Sequence, residues 1–250
     1  MNHKPIGNPF EKIFYLGTSD CDYQGNWKLS SMLDAVQNTS NEQNDMLHMW
    51  HYDLSSKNLY WVLYKTEMIL HRLPHLGESV KVITYTKGIR FLYCPRYCLI
   101  TDEKNGLVAR LGSLLMLVDR NTRKAVYPIK YGVEIPDVLE LEPAIKISMK
   151  QAEVLGRNIL TKHIPQYTDI DVNGHVNNAR YIDWLCNDLG FEFFKQFKIE
   201  SIVIKYESEI LPGDEVESFL LISDDEKDFQ YRGYVNGVKV FDIVGKGRLK

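Results

Sequence analysis

Two stretches of the chain repeat one pattern, and this repeat limits the folds that the chain can adopt. Residues 19–26 (Ser-Asp-Cys-Asp-Tyr-Gln-Gly-Asn) align with residues 168–175 (Thr-Asp-Ile-Asp-Val-Asn-Gly-His), and each stretch leads into a helical pattern of apolar residues. A second glycine turn recurs further along, at residues 76–80 and again at residues 212–216. The repeat predicts a tandem duplication of one structural unit.

Each copy is predicted to contain one strand, one helix and then four more strands. The first helix begins at Leu29, and its polar part, residues 38–45, is predicted to face solvent. Asn236-Gly237 is the favoured pair for a hairpin turn between the last two strands. Periodicity alone therefore predicts an α+β chain with a helix and an antiparallel sheet, twice. The strands are predicted at 11–19, 61–70, 79–86, 91–101, 107–118, 199–210, 215–223, 229–235 and 238–248.

The composition argues against several classes of function. The 250 residues are 44% hydrophobic and 25% charged, as in an ordinary globular protein, and a net charge of −3 does not favour nucleic-acid binding. No apolar run approaches the roughly 18 residues of a membrane span, and residues 1–10 lack the apolar core of a secretory signal. We therefore expect a cytoplasmic protein whose four cysteines are reduced.

Residues that occur in only one copy are the better candidates for chemistry. Both copies contain an aspartate and a glycine at matching positions, which suits a shared turn. The other polar positions differ between the copies: Asn173 is equivalent to Gln24, His175 to Asn26, and Glu209 to Leu73. If the chain has one active site, the C-terminal copy is therefore expected to hold it.

The polar residues of the second copy are predicted to come just before a buried helix. A helix N-terminus has free N–H groups and a partial positive charge, so it is suited to stabilising an oxyanion. The apolar residues Val176, Tyr181, Trp184, Leu185 and Leu189 fall near one face of this helix.

The segment Asp171-x-Asn173-x-His175-Val-Asn-Asn178, followed by an aromatic helix, resembles the catalytic segment of the acyl-ACP thioesterases. This double-hotdog family occurs in bacteria and in plant plastids, and the chain resembles the shorter bacterial form. The resemblance implies an α+β tandem hotdog, in which two antiparallel sheets each wrap a long helix. It also implies an N-terminal hotdog with the acyl-chain pocket (1–129), a linker (130–160) and a catalytic C-terminal hotdog (161–250).

The resemblance implies hydrolysis of fatty acyl-ACP thioesters to free fatty acid and acyl carrier protein, with no cofactor or metal ion. Glu209, within Tyr206-Glu-Ser-Glu209, matches the family's catalytic glutamate and is expected to act as a general base. Asn173 and His175 are expected to orient the water or the carbonyl. Asp171 either fixes the loop or attacks the substrate directly. Backbone N–H groups around Val176 and Asn177 are expected at the substrate, and Met32, Val36, Met46, Trp50 and Trp61 are possible liners of the acyl pocket.

Plainer interpretations stand beside these. Alone, Asp171 is a turn residue, Glu209 a surface carboxylate next to a Pro-Gly turn, and the apolar liners ordinary core. In a regular strand, Glu209 lies on the more polar face and reaches the site only if the strand bends or bulges. The alternative functions are a hotdog acyl-CoA thioesterase or dehydratase, and a non-catalytic acyl-binding module. A duplicated hotdog is expected to suffice as a monomer, with a loose homodimer as the alternative.

Overall fold

The computed structural model describes residues 7–46, 54, 56–150 and 152–250. Backbone contacts divide the chain into two units. The N-terminal unit extends to Ile147, without residues 29–31, which group with the C-terminal unit that begins at Ser148. The division therefore falls inside the segment 130–160 that the sequence predicts to be a linker.

The N-terminal unit contains one helix and a sheet whose paired strands are antiparallel. The strand order is β1-β3-β4-β5-β2, and the short β6 pairs with β5. Its elements are β1 (Phe10–Tyr15), α1 (Leu29–Met46), β2 (Leu59–Leu70), β3 (Ser79–Thr86), β4 (Tyr93–Asp102), β5 (Leu107–Asp119) and β6 (Ala125–Val126).

The C-terminal unit repeats this arrangement. Its strand order is β7-β9-β10-β11-β8, which is the order of the first unit with each strand replaced by its counterpart. The predicted duplication is therefore present in the topology of both units. Its elements are β7 (Arg157–His163), α2 (Arg180–Gln196), β8 (Phe197–Tyr206), β9 (Val216–Ile222), β10 (Asp228–Val235) and β11 (Val238–Leu249).

Several boundaries differ from those predicted, and three of them bear on the site. β7 begins at Arg157, inside the predicted linker, because residues 157–163 pair with β9. Helix α2 begins at Arg180, so the polar residues 171–175 lie in a turn well before the helix rather than at its first residues. β8 ends at Tyr206, four residues earlier than predicted, since the chain leaves the regular ladder there.

Helix α2 packs on its sheet through aromatic side chains. The Tyr181 ring lies 5.0 Å from the Phe241 ring and 5.5 Å from the Tyr206 ring, measured between centroids. Near the end of the helix, the edge of Phe193 meets the Phe229 ring at 5.9 Å. This helix therefore buries an apolar face against β8, β10 and β11, as its spacing predicts, although Gly190 kinks it with a φ of +73° before Phe193.

Asp188 ties α2 to two strands. Its Oδ2 accepts hydrogen bonds from the hydroxyls of Thr161 (2.6 Å) and Tyr231 (2.7 Å), and lies 3.0 Å from His163 Nε2. Burial raises the pKa of Asp188, but these hydrogen bonds outweigh it and leave the pKa below its ordinary value. The His163 imidazole in turn stacks on Trp184, with centroids 5.1 Å apart.

Two glycines let the sheet approach α2 closely. A Cβ atom at Gly245 would lie 2.2 Å from Phe229 Cζ, and one at Gly233 would lie 2.1 Å from Phe241 Cε1. Each glycine is the cross-strand partner of the phenylalanine that covers it. The two rings therefore occupy space that any other residue would fill, and they present their other side to α2.

Helix α1 differs from the prediction that residues 38–45 face solvent. Thr39, Ser40, Gln43 and Asn44 are all buried. They are buried because they bond to polar partners in the sheet and to the helix backbone: Gln43 and Asn44 accept hydrogen bonds from Arg96 on β4. The polarity of this helix face reflects a polar interior and not a solvated surface.

The segment after β6 is packed against the first sheet and is not a free linker. The apolar side chains of Tyr85 and Tyr97 form a cluster with Val138, and Ile145 also packs there. The Tyr85 hydroxyl donates to the Glu142 carbonyl at 2.6 Å. This cover is needed because the rings of Tyr85 and Tyr97 face away from α1 and would otherwise be exposed to solvent.

No helix in the described part of the chain is long and apolar enough to cross a membrane. The four cysteines, Cys21, Cys94, Cys98 and Cys186, are free thiols. Burial raises the pKa of both Cys94 and Cys98 to about 12, so these two thiols are inert at neutral pH.

Replacing Gly245 by alanine is expected to lower the free energy of unfolding by about 1–3 kcal/mol, because the new Cβ overlaps the Phe229 ring and pushes it toward α2. Urea denaturation measures the loss. The matched control is Gly17→Ala, since Gly17 has a φ of −87° and its Cβ would meet only Asp20 Oδ2, at 3.5 Å. Equal losses in the two variants would contradict the packing argument.

Candidate active site

A tight turn at residues 171–175 forms the first part of the candidate site. The Asp171 N–H donates to the His175 carbonyl at 2.8 Å, and the Gly174 N–H donates to the Asp171 carbonyl at 3.0 Å. Asp171 Oδ1 accepts the Asn173 N–H at 2.8 Å, and Asn173 Nδ2 donates to Asp171 Oδ2 at 3.3 Å. Gly174 has a φ of +82°, a conformation that glycine adopts without strain.

The N-terminal unit contains the same turn. Asp22 Oδ1 accepts the N–H groups of Gln24 and Asn26, both at 2.9 Å, and Gly25 has a φ of +79°. Isolated bridges close the two turns at matching positions, Cys21–Trp27 in one and Ile170–Val176 in the other. The aspartate and the glycine therefore belong to the turn itself in both units.

A hydrogen bond beyond the turn brings Glu209 to it. The Val176 N–H donates to the Ile210 carbonyl at 2.9 Å, which places the residue before Val176 beside the residue before Ile210. Glu207 and Ser208 both donate their N–H groups to the Val240 carbonyl, at 2.8 and 3.1 Å. This sharing inserts one residue into the ladder and reverses the strand parity, so Glu209 turns away from the face predicted for a regular strand.

The result is a histidine–carboxylate pair. His175 Nε2 lies 3.3 Å from Glu209 Oε2, and the two side chains are 26% and 30% exposed. Both are therefore held by protein and still accessible to a substrate. A carboxylate beside an imidazole at this distance can take a proton from a bound water while the imidazole N–H fixes its orientation.

The N-terminal unit lacks this chemistry at the equivalent positions. The Trp27 N–H donates to the Pro74 carbonyl, as Val176 does to Ile210, so Leu73 is the counterpart of Glu209. The bulge is also present, because His71 and Arg72 both donate to the Val108 carbonyl. The backbone of the site is thus duplicated, whereas the imidazole and the carboxylate occur in the C-terminal unit alone.

The structure places the other predicted site residues as follows. Val176 is buried, and its N–H is engaged with Ile210, so this N–H is not available to an oxyanion. Asn177 Oδ1 accepts the Ala179 N–H at 2.8 Å, just before α2, so this side chain caps the helix start. Asn173 is exposed and close to Asp171, as described above.

The predicted liners of the acyl pocket lie in the N-terminal unit. Met32 is fully buried on α1, Val36 is half-buried one turn later, and Trp61 packs beside the Leu54–Leu59–Leu117 cluster. Met46 is 67% exposed at the end of α1. Trp50 lies outside the described residues.

Tyr181 is a candidate that the sequence reasoning missed. It is buried in the first turn of α2, and burial raises its pKa, with a further contribution from the negative charges of Asp171 and Glu209. Its hydroxyl therefore lies within electrostatic reach of both carboxylates. The spacing of Tyr181 places it on the apolar face of the helix, and nothing in the sequence indicates a role for its hydroxyl.

Among the described residues, no group of three or more histidine, cysteine, aspartate or glutamate side chains is arranged to hold a metal ion. The candidate chemistry thus consists of a carboxylate, an imidazole and an amide at a turn. Together with the repeated sheet and helix, these features define a tandem α+β protein with a candidate catalytic site in its second unit.

Comparison with known proteins identifies the family. The model for the acyl-ACP thioesterase N-terminal domain matches residues 7–133, and that for the C-terminal domain matches residues 152–242. The chain belongs to the acyl-ACP thioesterase family, and the resemblance drawn from residues 171–178 is confirmed.

Solved structures confirm the predicted tandem hotdog fold. An acyl-ACP thioesterase from Bacteroides thetaiotaomicron superimposes with a TM-score of 0.86 at 22% identity, covering 96% of this chain and 98% of that one. The 12:0-ACP thioesterase from Umbellularia californica superimposes with a TM-score of 0.83 at 20% identity, covering 98% of each chain.

Among relatives by sequence, a chloroplastic acyl-acyl-carrier-protein hydrolase of Cuphea viscosissima is 27% identical over 168 residues. The match covers 63% of this chain and 40% of the relative. The chain therefore spans less than half the length of the curated relatives that it matches.

We expect Asp171→Ala and Asp22→Ala to lower the free energy of unfolding by similar amounts, about 1–2 kcal/mol each. The reason is that each carboxylate accepts hydrogen bonds in an equivalent turn: Asp171 from the backbone and side chain of Asn173, and Asp22 from the N–H groups of Gln24 and Asn26. Thermal or urea denaturation of the two variants measures this. If Asp171→Ala were stabilising while Asp22→Ala was not, Asp171 would be held against the preference of the fold, and the shared structural role would be wrong.

Proposed function

We propose that this chain hydrolyses fatty acyl-ACP thioesters in fatty acid biosynthesis, releasing free fatty acid and the carrier protein. The observation that carries the proposal is the His175–Glu209 pair, 3.3 Å apart, which only the C-terminal unit of this acyl-ACP thioesterase family member contains. In the proposed arrangement the C-terminal unit is catalytic and the N-terminal unit binds the acyl chain.

In the proposed reaction, Glu209 takes a proton from water as the water oxygen attacks the thioester carbon. The His175 imidazole holds the Glu209 carboxylate in place. Asn173 has a second side-chain N–H beyond the one given to Asp171, and this N–H donates to the carbonyl oxygen as negative charge develops on it. The carbon–sulfur bond then breaks, and the leaving thiolate takes up the proton.

The geometry favours this route over direct attack by Asp171. Both carboxylate oxygens of Asp171 accept hydrogen bonds within the turn, from the backbone and the side chain of Asn173. Asp22 Oδ1 likewise accepts hydrogen bonds within its turn, from the N–H groups of Gln24 and Asn26, in the unit that lacks the histidine and the glutamate. A residue engaged like its non-catalytic counterpart is a positioning residue, whereas Glu209 has no acidic counterpart.

Side-chain size supports an acyl pocket in the N-terminal unit. Counted from the equivalent turns, Met32 and Ala35 on α1 take the places of Tyr181 and Trp184 on α2. In the C-terminal unit the two aromatic rings fill the space between helix and sheet. A pocket for a flexible hydrocarbon chain requires side chains smaller than two aromatic rings at these places, and Met32 and Ala35 meet this requirement.

The carrier protein is the proposed partner because the relatives are named as hydrolases or thioesterases of substrates bound to acyl carrier protein. An acyl-CoA thioesterase of the same fold is the alternative, and comparing the two thioesters as substrates distinguishes them. A non-catalytic acyl-binding module would not require the histidine–glutamate pair. The free cysteines are compatible with the cytoplasmic location that we propose.

Glu209→Gln and His175→Ala are each expected to reduce kcat/KM for acyl-ACP by about 10²–10⁴-fold, because both remove part of the proton-transfer machinery. Release of free thiol from acyl-ACPs of several chain lengths measures the rate. Circular dichroism and the melting temperature confirm that the variants are folded.

The matched control is Glu207→Gln. Glu207 lies two residues from Glu209 but pairs with Lys205 and Lys239 instead of His175. Its loss is expected to leave kcat/KM nearly unchanged. A wild type that binds acyl chains but turns over neither acyl-ACP nor acyl-CoA would refute the enzyme and favour the binding module.

We also propose that a monomer is sufficient, since one chain carries both hotdog units. Light scattering is expected to give a mass near 29.1 kDa in dilute solution, with a loose dimer at most at high concentration. An obligate tetramer that retains its mass on dilution would contradict this.

A further inference from the structure

A guanidinium group lies buried between α1 and the first sheet. Arg96 on β4 is 7% exposed, and its Nη1 donates to Gln43 Oε1 at 2.6 Å and to Thr84 Oγ1 at 3.0 Å. Its Nη2 donates to Asn44 Oδ1 at 2.5 Å. We call these four side chains the Arg96 cluster.

The Arg96 cluster has more donors than acceptors. All three acceptors of Arg96 are neutral, and no carboxylate in the described ranges lies within ion-pair distance of it. Asn44 is 1% exposed, and its Nδ2 has no hydrogen-bond acceptor among the residues that the structure describes. A guanidinium carries five N–H donors and keeps its charge, so burying it without a counter-charge is costly.

In the C-terminal unit, the position equivalent to Arg96 is occupied by an aromatic residue that only packs. Thr84 pairs with Cys98 on β4, and their counterparts Leu220 and Tyr231 pair in the same register. Arg96 lies two residues before Cys98 on β4, and Phe229 lies two residues before Tyr231 on β10. Arg96 and Phe229 are therefore equivalent. Asn44 on α1 contacts Arg96, and Phe193 on α2 contacts Phe229, so these two helix residues reach matching places on their sheets. An aromatic contact between Phe193 and Phe229 thus takes the place of the Arg96–Asn44 hydrogen bond.

The buried face of α1 changes character along its length. It begins with Met32 and Ala35, which are apolar, and ends with Gln43 and Asn44. The distance along the helix from Met32 to Gln43 is roughly 16 Å, at a rise of about 1.5 Å per residue. A hydrocarbon chain lying along this face from its apolar end therefore meets the Arg96 cluster.

We propose that the Arg96 cluster closes the far end of the acyl pocket and sets the longest acyl chain that the enzyme accepts. The inference rests on the proposed function, because it concerns the substrate of that same reaction. A terminal methyl group that reached the cluster would displace hydrogen-bonding partners from a buried charge without replacing them. Chains that stop short of Arg96 avoid this penalty.

Arg96→Met keeps most of the side-chain length and removes the charge. The ratio of kcat/KM for hexadecanoyl-ACP over dodecanoyl-ACP is expected to rise at least about tenfold, since additional methylenes then meet an uncharged thioether side chain in place of the guanidinium. Arg96→Lys keeps the charge and is expected to keep the wild-type ratio. Arg110→Met, at an exposed arginine on the neighbouring strand β5, is the matched control and should leave the ratio unchanged.

A second measurement needs no variant, in case Arg96→Met fails to fold. Wild-type enzyme is given two acyl-ACPs of equal length, at the length where its rate begins to fall, one ending in a methyl group and one in a hydroxyl. The hydroxyl oxygen can accept from Asn44 Nδ2, so the hydroxylated chain is expected to have the higher kcat/KM. An apolar pocket end would give the opposite order, because it strands the hydroxyl without a partner.

The two proposals fail in different ways. The inference about the Arg96 cluster is wrong if the wild type hydrolyses acyl-ACPs but the Arg96→Met variant keeps the same chain-length ratio and the hydroxylated chain is the poorer substrate. The proposed function is wrong if the wild type hydrolyses none of the acyl-ACPs.

Discussion

The hydrogen bond from the Val176 N–H to the Ile210 carbonyl determines where the chemistry lies. It joins the turn before α2 to the chain segment that leaves β8, and these two segments are more than thirty residues apart in sequence. Without it, His175 and Glu209 would be a turn residue and a surface carboxylate with no relation to each other. The bulge at Val240 makes the second contribution, because it turns Glu209 toward the imidazole. The site is therefore a product of backbone geometry, and its side chains complete an arrangement that the backbone already holds.

The duplication makes this separation visible. Both units have the Asp-Gly turn, the bridging hydrogen bond and the bulge, so these features belong to the fold. Only one unit has the histidine and the glutamate, so these belong to the proposed chemistry. The two units also differ in the side chains that lie between the helix and the sheet. The C-terminal unit fills its interior with Tyr181, Trp184 and Phe193, whereas the N-terminal unit places smaller and polar residues at the corresponding positions. This contrast in side chains agrees with the proposal that the C-terminal unit is catalytic and the N-terminal unit binds the acyl chain.

Local sequence patterns predict the parts of this molecule that local physics controls. The turn residues, the strand periods and the repeat itself depend on neighbours in sequence, and the strand order of the two units agrees with them. Two features depend on distant partners and were beyond such patterns. The orientation of Glu209 depends on a bulge made with β11, so strand parity alone misplaced it. The burial of Gln43 and Asn44 depends on Arg96, about fifty residues away, and a polar helix segment alone suggests solvent. The ordered segment after β6 likewise follows from the apolar outer faces of Tyr85 and Tyr97, which require a cover.

Stability and function make opposite demands on the two interiors. The aromatic interface of α2 gains from every buried ring, and Gly233 and Gly245 extend that gain by letting the rings lie flat on the sheet. A buried guanidinium without a counter-charge reduces stability, so the Arg96 cluster costs the N-terminal unit part of the stability that aromatic packing gives the other unit. Phe193 and Phe229 show that the same fold accepts two aromatic rings in contact between helix and sheet. The proposed role of Arg96 in limiting the acyl chain accounts for a polar cluster at this place, and the aromatic interface of α2 supports the turn that carries the proposed catalytic residues.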